Sequence, residues 1–393
     1  MRIRSIALWP VAVKRRTGFL SRHVIVEIKT DEGVTGWGEM SDLGHIPVYV
    51  PDLADLARTL NRLLVGEDPR QIMDLTTRLL DVFPEELFMY DMSAVIRCGI
   101  DVALHDLVAK SLDVSVSTYL GGRMRDRLRV CYPIFRHRTI AEVPQNIERV
   151  DEYLKEGFDL IRLYAGQNVD ADELFLTTLR ERFGQRVSVK SLDFSNLVTW
   201  RKAVEATRRL APYGVSLIES PCPRDDLDGL LEVRRRVDHP ISEHVCSMFQ
   251  AKLFLQRGGL DIFNICTTFI GGITPALKLF ALAETAGVAC LIGTTQELSL
   301  GTAAQAHVGA TAVKLQFPSD PTGPRLYAED VTRHGVKYEN GFLIVPEGPG
   351  LGIDVDPERL KHLASPLQTD EASLPALQDR TVPLPAPAAG AGR

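Results

Sequence analysis

The chain has 393 residues, a formal net charge of −6 and 45% hydrophobic residues, which is the composition of a globular protein with ample core. Its basic tracts are short, so we do not expect nucleic acid as a partner. The apolar runs are too short for a membrane span, and the N-terminus lacks the apolar core of a signal peptide. The six cysteines form no C-x-x-C pair, which is typical of reduced thiols. Together these features predict a cytoplasmic protein with neither a membrane nor a nucleic-acid partner.

Residues 1–125 have the pattern of a small α+β domain. An antiparallel meander is predicted from three strand-like segments, at 1–9, 22–29 and 34–39. Three helical patterns then follow, at about 51–65, 70–82 and 92–112.

Between residues 126 and 320, short apolar runs alternate seven times with amphipathic helical stretches. This alternation favours a closed barrel over an open doubly wound sheet. We place the eighth strand at 314–317, KLQF. Residues 321–365 contain a predicted hairpin around Glu339-Asn340-Gly341 and are expected to return to the N-terminal domain. The Pro- and Ala-rich residues 366–393 have the composition of a disordered tail.

Three acidic residues end three successive apolar runs: Asp193, Glu219 and Glu243, at steps of 26 and 24 residues. Each step has the length of one strand–helix unit, so parallel strands would present the three carboxylates at one edge of the barrel. Like charges at that spacing repel unless a cation lies among them, and oxygen ligands suit Mg²⁺ first and Mn²⁺ second. The alternative is that each carboxylate caps a helix or forms an ion pair.

Several motifs occur in a fixed order over about residues 1–362: TDEGVTGWGE, GIDVALHDLVAKSL followed by YLGG, GFDLIRLYAG, LIESP, DIFNICTTFIGGIT and EGPGLGID. In this order the chain resembles the enolase superfamily, in its mandelate racemase and muconate lactonizing enzyme branch. The resemblance implies an α/β fold, a (β/α)7β modified TIM barrel with an α+β capping domain. It also implies Mg²⁺ held by Asp193, Glu219 and Glu243, a small-molecule carboxylate substrate, and assembly as a homodimer or homo-octamer. Such enzymes abstract the proton α to a carboxylate and stabilise an enediolate.

The chain departs from this family where its lysine base is expected. The family carries Lys-x-Lys at the end of the second barrel strand, and the matching positions here are Arg162 and Tyr164. A phenol is a poor base unless a neighbouring cation stabilises the phenolate, and Arg162 lies two residues away on the same strand face. This pairing is similar in kind to the Arg–Tyr chemistry of mannonate dehydratases. The alternative is that Arg162 pairs with a metal-binding carboxylate and Tyr164 only lines the pocket.

The second base position, on the sixth strand, is occupied by Cys266, and Gly293 stands where the racemase branch has its catalytic histidine. Cys266 is either a proton donor or a small core residue. His244 follows Glu243 directly and is the imidazole nearest to the metal edge, although strand alternation points it away from Glu243.

Further residues near the strand ends and in the cap are candidates for substrate binding. An arginine binds a carboxylate with two parallel hydrogen bonds, and a solvated loop is the alternative for the arginines. The segment 14–20 matches a loop that closes over the substrate in this family. The candidates are Arg136, His137, Lys190, Glu297 and Arg16.

These residues favour an Mg²⁺-dependent lyase, an acid-sugar dehydratase, as the function. β-Elimination needs only one group on one face of the substrate, and the paired bases of the family are missing here. The segment IGTTQE favours the lactonizing branch, so a racemase, epimerase or cycloisomerase stays open. A metal-binding homologue without catalysis is the third hypothesis.

Overall fold

The computed structural model describes residues 1–43, 51–86 and 91–365. The predicted disordered tail at 366–393 lies outside these ranges. Within them, no helix is both long enough and apolar enough to cross a membrane.

The N-terminal part begins with the predicted meander, a three-stranded antiparallel sheet in the order β1-β2-β3. Two glycines of β3 allow its close approach to the long helix α3, since a Cβ on Gly38 would lie 2.0 Å from the carbonyl oxygen of Gly99. The helix begins at the side chain of Asp91, which accepts hydrogen bonds from the backbone N–H groups of Ser93 and Ala94. The elements are β1 (Ile3–Lys14), β2 (Leu20–Thr30), β3 (Thr35–Met40), α1 (Leu53–Leu64), α2 (Ile72–Val82), α3 (Met92–Ser111) and α4 (Val116–Tyr119).

Seven parallel strands follow, each hydrogen-bonded to the next in chain order from β5 to β11, with helices packed outside them. This is the predicted barrel with its helical ring, and the N-terminal sheet forms a separate α+β layer. The elements are β4 (Arg127–Arg129), β5 (Tyr132–Ile134), α5 (Val143–Lys155), β6 (Leu160–Tyr164), α6 (Val169–Phe183), β7 (Ser188–Asp193), α7 (Trp200–Leu210), β8 (Val215–Glu219), α8 (Leu227–Arg236), β9 (Ile241–His244), α9 (Met248–Arg257), β10 (Ile262–Ile265), α10 (Thr267–Ile270), α11 (Ile273–Ala286), β11 (Ala289–Ile292) and α12 (Ser299–Thr311).

The barrel closes through Ser319 rather than through the predicted strand at 314–317, so that placement is wrong. Ser319 donates its N–H to the carbonyl of Arg129 at 2.8 Å, and its side chain accepts the N–H of Ile292 at 3.1 Å. The side chain of Gln316 likewise accepts the N–H of Cys290. Side-chain hydrogen bonds interrupt the backbone ones along this seam, and Pro318 has no N–H to donate, so no regular strand forms.

The C-terminal segment divides between the barrel and the N-terminal sheet. The predicted hairpin forms, but it pairs with β4 beside the barrel and not with the N-terminal sheet. The return is made further on, where Gly350 bonds to Val114 and Val116, and Ser365 donates to the carbonyl of Pro10. The elements are α13 (Gly323–Leu326), β12 (Tyr338–Glu339), β13 (Phe342–Ile344) and α14 (Pro357–Leu363).

Glu39, at the end of β3, joins the N-terminal sheet to the barrel. Its carboxylate is fully buried and accepts the backbone N–H groups of Leu298 and Gly301 at the start of α12, at 2.9 and 2.8 Å. His23 lies 2.9 Å from the same carboxylate. Burial alone would raise the pKa of Glu39, but the hydrogen bonds from His23 and the helix N-terminus lower it overall.

We predict that Glu39→Ala lowers stability by about 2–4 kcal/mol, because it leaves buried N–H donors without an acceptor. The midpoint of thermal unfolding measures the effect. The matched control is Glu205→Ala, an exposed carboxylate on α7 that should leave the midpoint unchanged. Equal midpoints for the two variants would contradict the role of Glu39 as the joint.

His307, in α12, is a buried histidine that stays neutral. Its ring accepts the N–H of Ser117 at Nδ1, and its Nε2 lies 3.1 Å from the carbonyl of Leu351. Burial lowers its pKa to about 4. Between pH 6.5 and 4 the unfolded chain therefore binds a proton that the folded chain does not, so stability falls as the pH falls through this window.

We predict that this histidine accounts for about 3 kcal/mol of the stability lost on acidification from pH 7 to pH 4. Denaturant unfolding of the wild type and of His307→Gln over this pH range measures it. The variant should show a shallower fall in stability with acidification. Parallel curves for the two proteins would show that another group carries the pH dependence.

Candidate active site

The carboxyl ends of the barrel strands bring a group of charged side chains into the barrel mouth. Strand register places Tyr164 beside Asp193, and Asp193 beside Glu219, on one face of the sheet. Arg162 lies two residues before Tyr164 and faces the same way. Tyr164 is half-buried, whereas Arg162, Asp193 and Glu219 are at most 4% exposed.

Arg162 is the centre of this group. Its Nη1 lies 3.4 Å from Glu219 Oε1 and 3.5 Å from Asp320 Oδ2, and its Nε lies 3.9 Å from Asp193 Oδ2. Burial would lower the pKa of Arg162, but the charges of Tyr164, Asp320 and Glu219 outweigh it and raise the pKa well above the ordinary value. The guanidinium is therefore charged at every relevant pH.

Lys190 supplies a second buried cation, and a β-bulge explains its direction. The pairing of β6 with β7 shifts between Ile161 and Arg162, which leaves Lys190 without a partner on β6. Its ammonium lies 2.5 Å from Asp320 Oδ1 and 3.8 Å from Glu219 Oε2. The sequence left open whether Lys190 faces inward, and the bulge turns it into the barrel.

Glu219 is the most perturbed carboxyl group in this cluster. Burial and the charge of Asp193 raise its pKa to about 8, although Lys190 and Arg162 act in the opposite direction. Its oxygens also accept hydrogen bonds from Ser191 at 3.2 Å and from Asn264 at 3.1 Å. Both oxygens are thus engaged by donors of this chain.

The structure does not bring Glu243 together with Asp193 and Glu219. Register pairs Glu219 with Ser242, so strand alternation directs the neighbouring Glu243 away from the barrel axis. There its carboxylate accepts hydrogen bonds from Ser220 Oγ at 2.8 Å, Asn196 Nδ2 at 2.6 Å and the backbone N–H of residue 244 at 2.8 Å. The similar spacing of the three acidic residues along the chain did not reveal that Glu243 is offset by one residue in strand register.

The positions of Asp193, Glu219 and Glu243 determine whether the site can hold Mg²⁺. Across the described ranges, no group of three or more His, Cys, Asp or Glu side chains is arranged to hold a metal ion. Asp193 and Glu219, the two predicted ligands that do lie together, both face the guanidinium of Arg162. The side chains in this arrangement do not fit the predicted Mg²⁺ or Mn²⁺ site.

Tyr164 is the least buried of these four side chains. Its hydroxyl oxygen lies 2.7 Å from Arg162 Nη2. The ring stacks on Phe135 with centroids 5.7 Å apart, and the guanidinium carbon of Arg136 lies 5.2 Å from the ring centroid. Arg136 Nη2 is buried and has no hydrogen-bond partner among the described residues. A donor left open beside Tyr164 is suited to bind a substrate carboxylate.

His244 and Cys266, the other two predicted acid–base groups, are both buried. His244 turns inward, where its Nε2 lies 3.7 Å from Glu219 Oε1, and burial lowers its pKa well below the ordinary value. Cys266 is fully buried, and burial raises its pKa well above the ordinary value. Its thiol packs beside Cys246 and Phe269, so the core alternative describes it better than the catalytic one.

The other three predicted substrate contacts are Glu297, His137 and Arg16. Glu297 is fully buried, and both of its oxygens accept hydrogen bonds, from Thr294 at one and from Thr268 and Thr295 at the other. His137 bonds to Asp172 of α6 at 2.9 Å and joins that helix to the end of β5. Arg16 lies in the β1–β2 turn and lines a cavity of about 170 Å³ between this turn and α5.

The sequence analysis missed two residues of the site, Asp320 and Asn264, because it assigned nearby residues instead. Asp320 follows the seam that closes the barrel, and the misplaced eighth strand hid its position at the mouth. Asn264 bonds Glu219, but the sixth-strand position was given to Cys266, two residues later. The signal for Asn264 was the alternation of β10, which places it on the inner face beside His244.

The barrel with its separate α+β layer and charged mouth defines a protein of the enolase type. The chain matches the description "Mandelate racemase / muconate lactonizing enzyme, N-terminal domain" over residues 2–121 and "Enolase C-terminal domain-like" over residues 145–359. It therefore belongs to the mandelate racemase and muconate lactonizing enzyme family of the enolase superfamily. Members of this family generally use Mg²⁺.

Similar proteins span nearly the whole chain. N-succinyl-L-Arg/Lys racemase of Bacillus cereus is 27% identical over 92% of this chain and 98% of its own length. L-Ala-D/L-Glu epimerase of Bacillus subtilis is 31% identical over 88% of this chain and 92% of its own length. The structure of muconate lactonizing enzyme from Pseudomonas putida matches with a TM-score of 0.84 and 26% identity, covering 93% of this chain and 100% of that one.

We predict that Lys190→Met destabilises the fold by about 3–5 kcal/mol, because it leaves Asp320 and Glu219 buried with half of their compensating charge. Thermal or denaturant unfolding measures this loss. Lys252→Met changes an exposed lysine of α9 in the same way and should have no effect. A Lys190→Met protein as stable as the control would mean that Lys190 is not needed to offset the buried carboxylates.

Proposed function

We propose that this protein catalyses β-elimination from a small hydroxy-carboxylate, with Tyr164 as the single acid–base group. The observation that carries the proposal is the hydroxyl of Tyr164, 2.7 Å from Arg162 Nη2, at the reachable edge of a site whose other charged groups are buried. A guanidinium beside a phenol stabilises the phenolate, which is the form that can accept a proton.

In the proposed reaction the substrate carboxylate binds the open Nη2 of Arg136. The phenolate of Tyr164 takes the α-proton, and the electron pair of the C–H bond passes into the carboxylate as an enediolate. The charge that develops on the carboxylate oxygens is stabilised by the guanidinium of Arg136. Return of that charge expels the β-hydroxyl, which takes the proton from Tyr164 and leaves as water. Where the substrate also carries an α-hydroxyl, as a 2,3-dihydroxy acid does, the product is an enol that tautomerises to a 2-keto acid.

The arrangement of the site supports elimination over racemisation. Racemisation between two faces requires a second acid–base group opposite the first, whereas one group can both abstract and return a proton on a single face. The candidates for the opposite face are a neutral, buried His244 and a buried thiol, Cys266. An acid-sugar dehydratase is therefore our first proposal, as the sequence suggested.

Cycloisomerisation is the second candidate, and the likeness to muconate lactonizing enzyme favours it. Closing a lactone adds a carboxylate oxygen across a double bond and places a proton on the α-carbon. Its reverse is α-proton abstraction followed by loss of a carboxylate, which also needs one group on one face. A screen of hydroxy-acids and unsaturated dicarboxylates in D₂O distinguishes the two, since only dehydration yields a keto acid.

We predict that Tyr164→Phe lowers both turnover and α-deuterium exchange by about 10²–10⁴-fold, because it removes the hydroxyl and keeps the ring. Stacking on Phe135 should keep the variant folded, which circular dichroism checks. The matched control is Tyr213→Phe, remote from the barrel mouth between α6 and α7, where the hydroxyl bonds only neighbouring helix residues. A Tyr164→Phe enzyme with the activity of this control would exclude Tyr164 as the base.

A further inference from the structure

We infer that Arg162 and Lys190 occupy the cation position of this barrel, so that the protein folds and holds its charged mouth together without a bound divalent metal. The inference goes beyond the proposed reaction and does not depend on it, because it concerns the resting protein. It follows from the contacts of the two cations, from the donors already bonded to each carboxylate, and from the direction of Glu243.

The guanidinium of Arg162 makes the contacts that a shared metal ion would make. It lies within 4 Å of carboxylate oxygens from Asp193, Glu219 and Asp320, which come from three different parts of the barrel rim. Its planar fork can face several carboxylates at once.

Lys190 is the second cation of this group. Its ammonium contacts Asp320 at 2.5 Å and Glu219 at 3.8 Å, so two positive side chains face three carboxylates within one buried group. A divalent ion placed among them would lie within a few ångströms of both cations and be repelled by each.

The carboxylate oxygens are also engaged by neutral donors. Asp193 Oδ1 accepts the N–H of Ser195 at 2.7 Å and its hydroxyl at 2.9 Å. Glu219 accepts Ser191 and Asn264 besides the two cations. Mg²⁺ demands oxygen ligands at about 2.0–2.1 Å in near-octahedral geometry, which these bonds leave no room to form.

The third predicted ligand is held elsewhere. Glu243 accepts three hydrogen bonds, from Ser220, Asn196 and its neighbour's backbone N–H, on the side of β9 away from the axis. Turning it toward Glu219 would break all three without removing Arg162. The disagreement between family membership and the metal site therefore has a physical cause, since Arg162 and Lys190 together face the carboxylates and Glu243 is bonded elsewhere.

Metal binding to the wild-type protein tests this directly. The purified full chain is analysed for metal content, titrated with Mn²⁺ by electron paramagnetic resonance, and melted in EDTA, in 5 mM Mg²⁺ and in 5 mM Mn²⁺. We expect less than 0.1 metal ion per chain, no saturable Mn²⁺ binding up to 1 mM, and one unfolding midpoint in all three buffers. One Mn²⁺ bound per chain, and lost in Asp193→Asn, would overturn the inference.

A gain-of-binding variant tests the cause. Arg162→Met removes the guanidinium and frees Asp193 and Glu219, so saturable Mn²⁺ binding should appear and disappear again when Glu219→Gln is added. Arg208→Met, an exposed arginine on α7, is the matched control and should bind none. A folded Arg162→Met protein that binds no Mn²⁺ would show that Arg162 does not exclude the metal. If this variant fails to fold, the wild-type titration still decides the inference.

These measurements need no substrate and no turnover. Tyr164→Phe should leave the absence of Mn²⁺ binding unchanged even where it abolishes activity. Loss of the proposed function would therefore leave the metal result standing, and binding of Mn²⁺ to the wild type would overturn the inference whether or not Tyr164 is the base.

Discussion

The barrel mouth depends on the burial of Arg162 among three carboxylates. A buried guanidinium is costly to desolvate, and so is each buried carboxylate, unless every one finds an opposite charge within a few ångströms. Arg162 touches Asp193, Glu219 and Asp320, and Lys190 touches the last two again. Because each charge is stabilised by the others, the side chains of the mouth hold one arrangement, and the loss of any one of them leaves its partners with less of the opposite charge that offsets their desolvation.

The same guanidinium determines what Tyr164 can do. A tyrosine in place of the family's lysine would be chemically idle at neutral pH without a cation at its oxygen. Arg162 provides that cation at 2.7 Å, while Arg136 lies over the ring with an open donor. One residue thus holds the carboxylates together on one side and supports the phenolate on the other. Arg162 and Tyr164, at the two positions of the family's Lys-x-Lys, are thus in direct contact.

The sequence predicted those features that repeat along the chain. Strand–helix alternation located the barrel from β5 to β11, and the meander and its three helices lie where the polar–apolar pattern placed them. It could not predict features that depend on register between strands. Glu243 was assigned by spacing, but pairing of Glu219 with Ser242 turns it outward and brings His244 in. Asp320 was missed, and the direction of Lys190 was left open, for the same reason, since a seam and a β-bulge place them.

The N-terminal α+β layer is joined to the barrel through side-chain contacts of the β1–β2 turn. Arg15, in the β1–β2 turn, is ion-paired to Asp42 at 2.8 Å and lies over the ring of Tyr327. Tyr327 in turn donates to the carbonyl of Gln296, next to the helix that Glu39 caps. An ion pair, a ring contact and a hydrogen bond therefore connect the β1–β2 turn to the segment of the barrel that Glu39 also contacts.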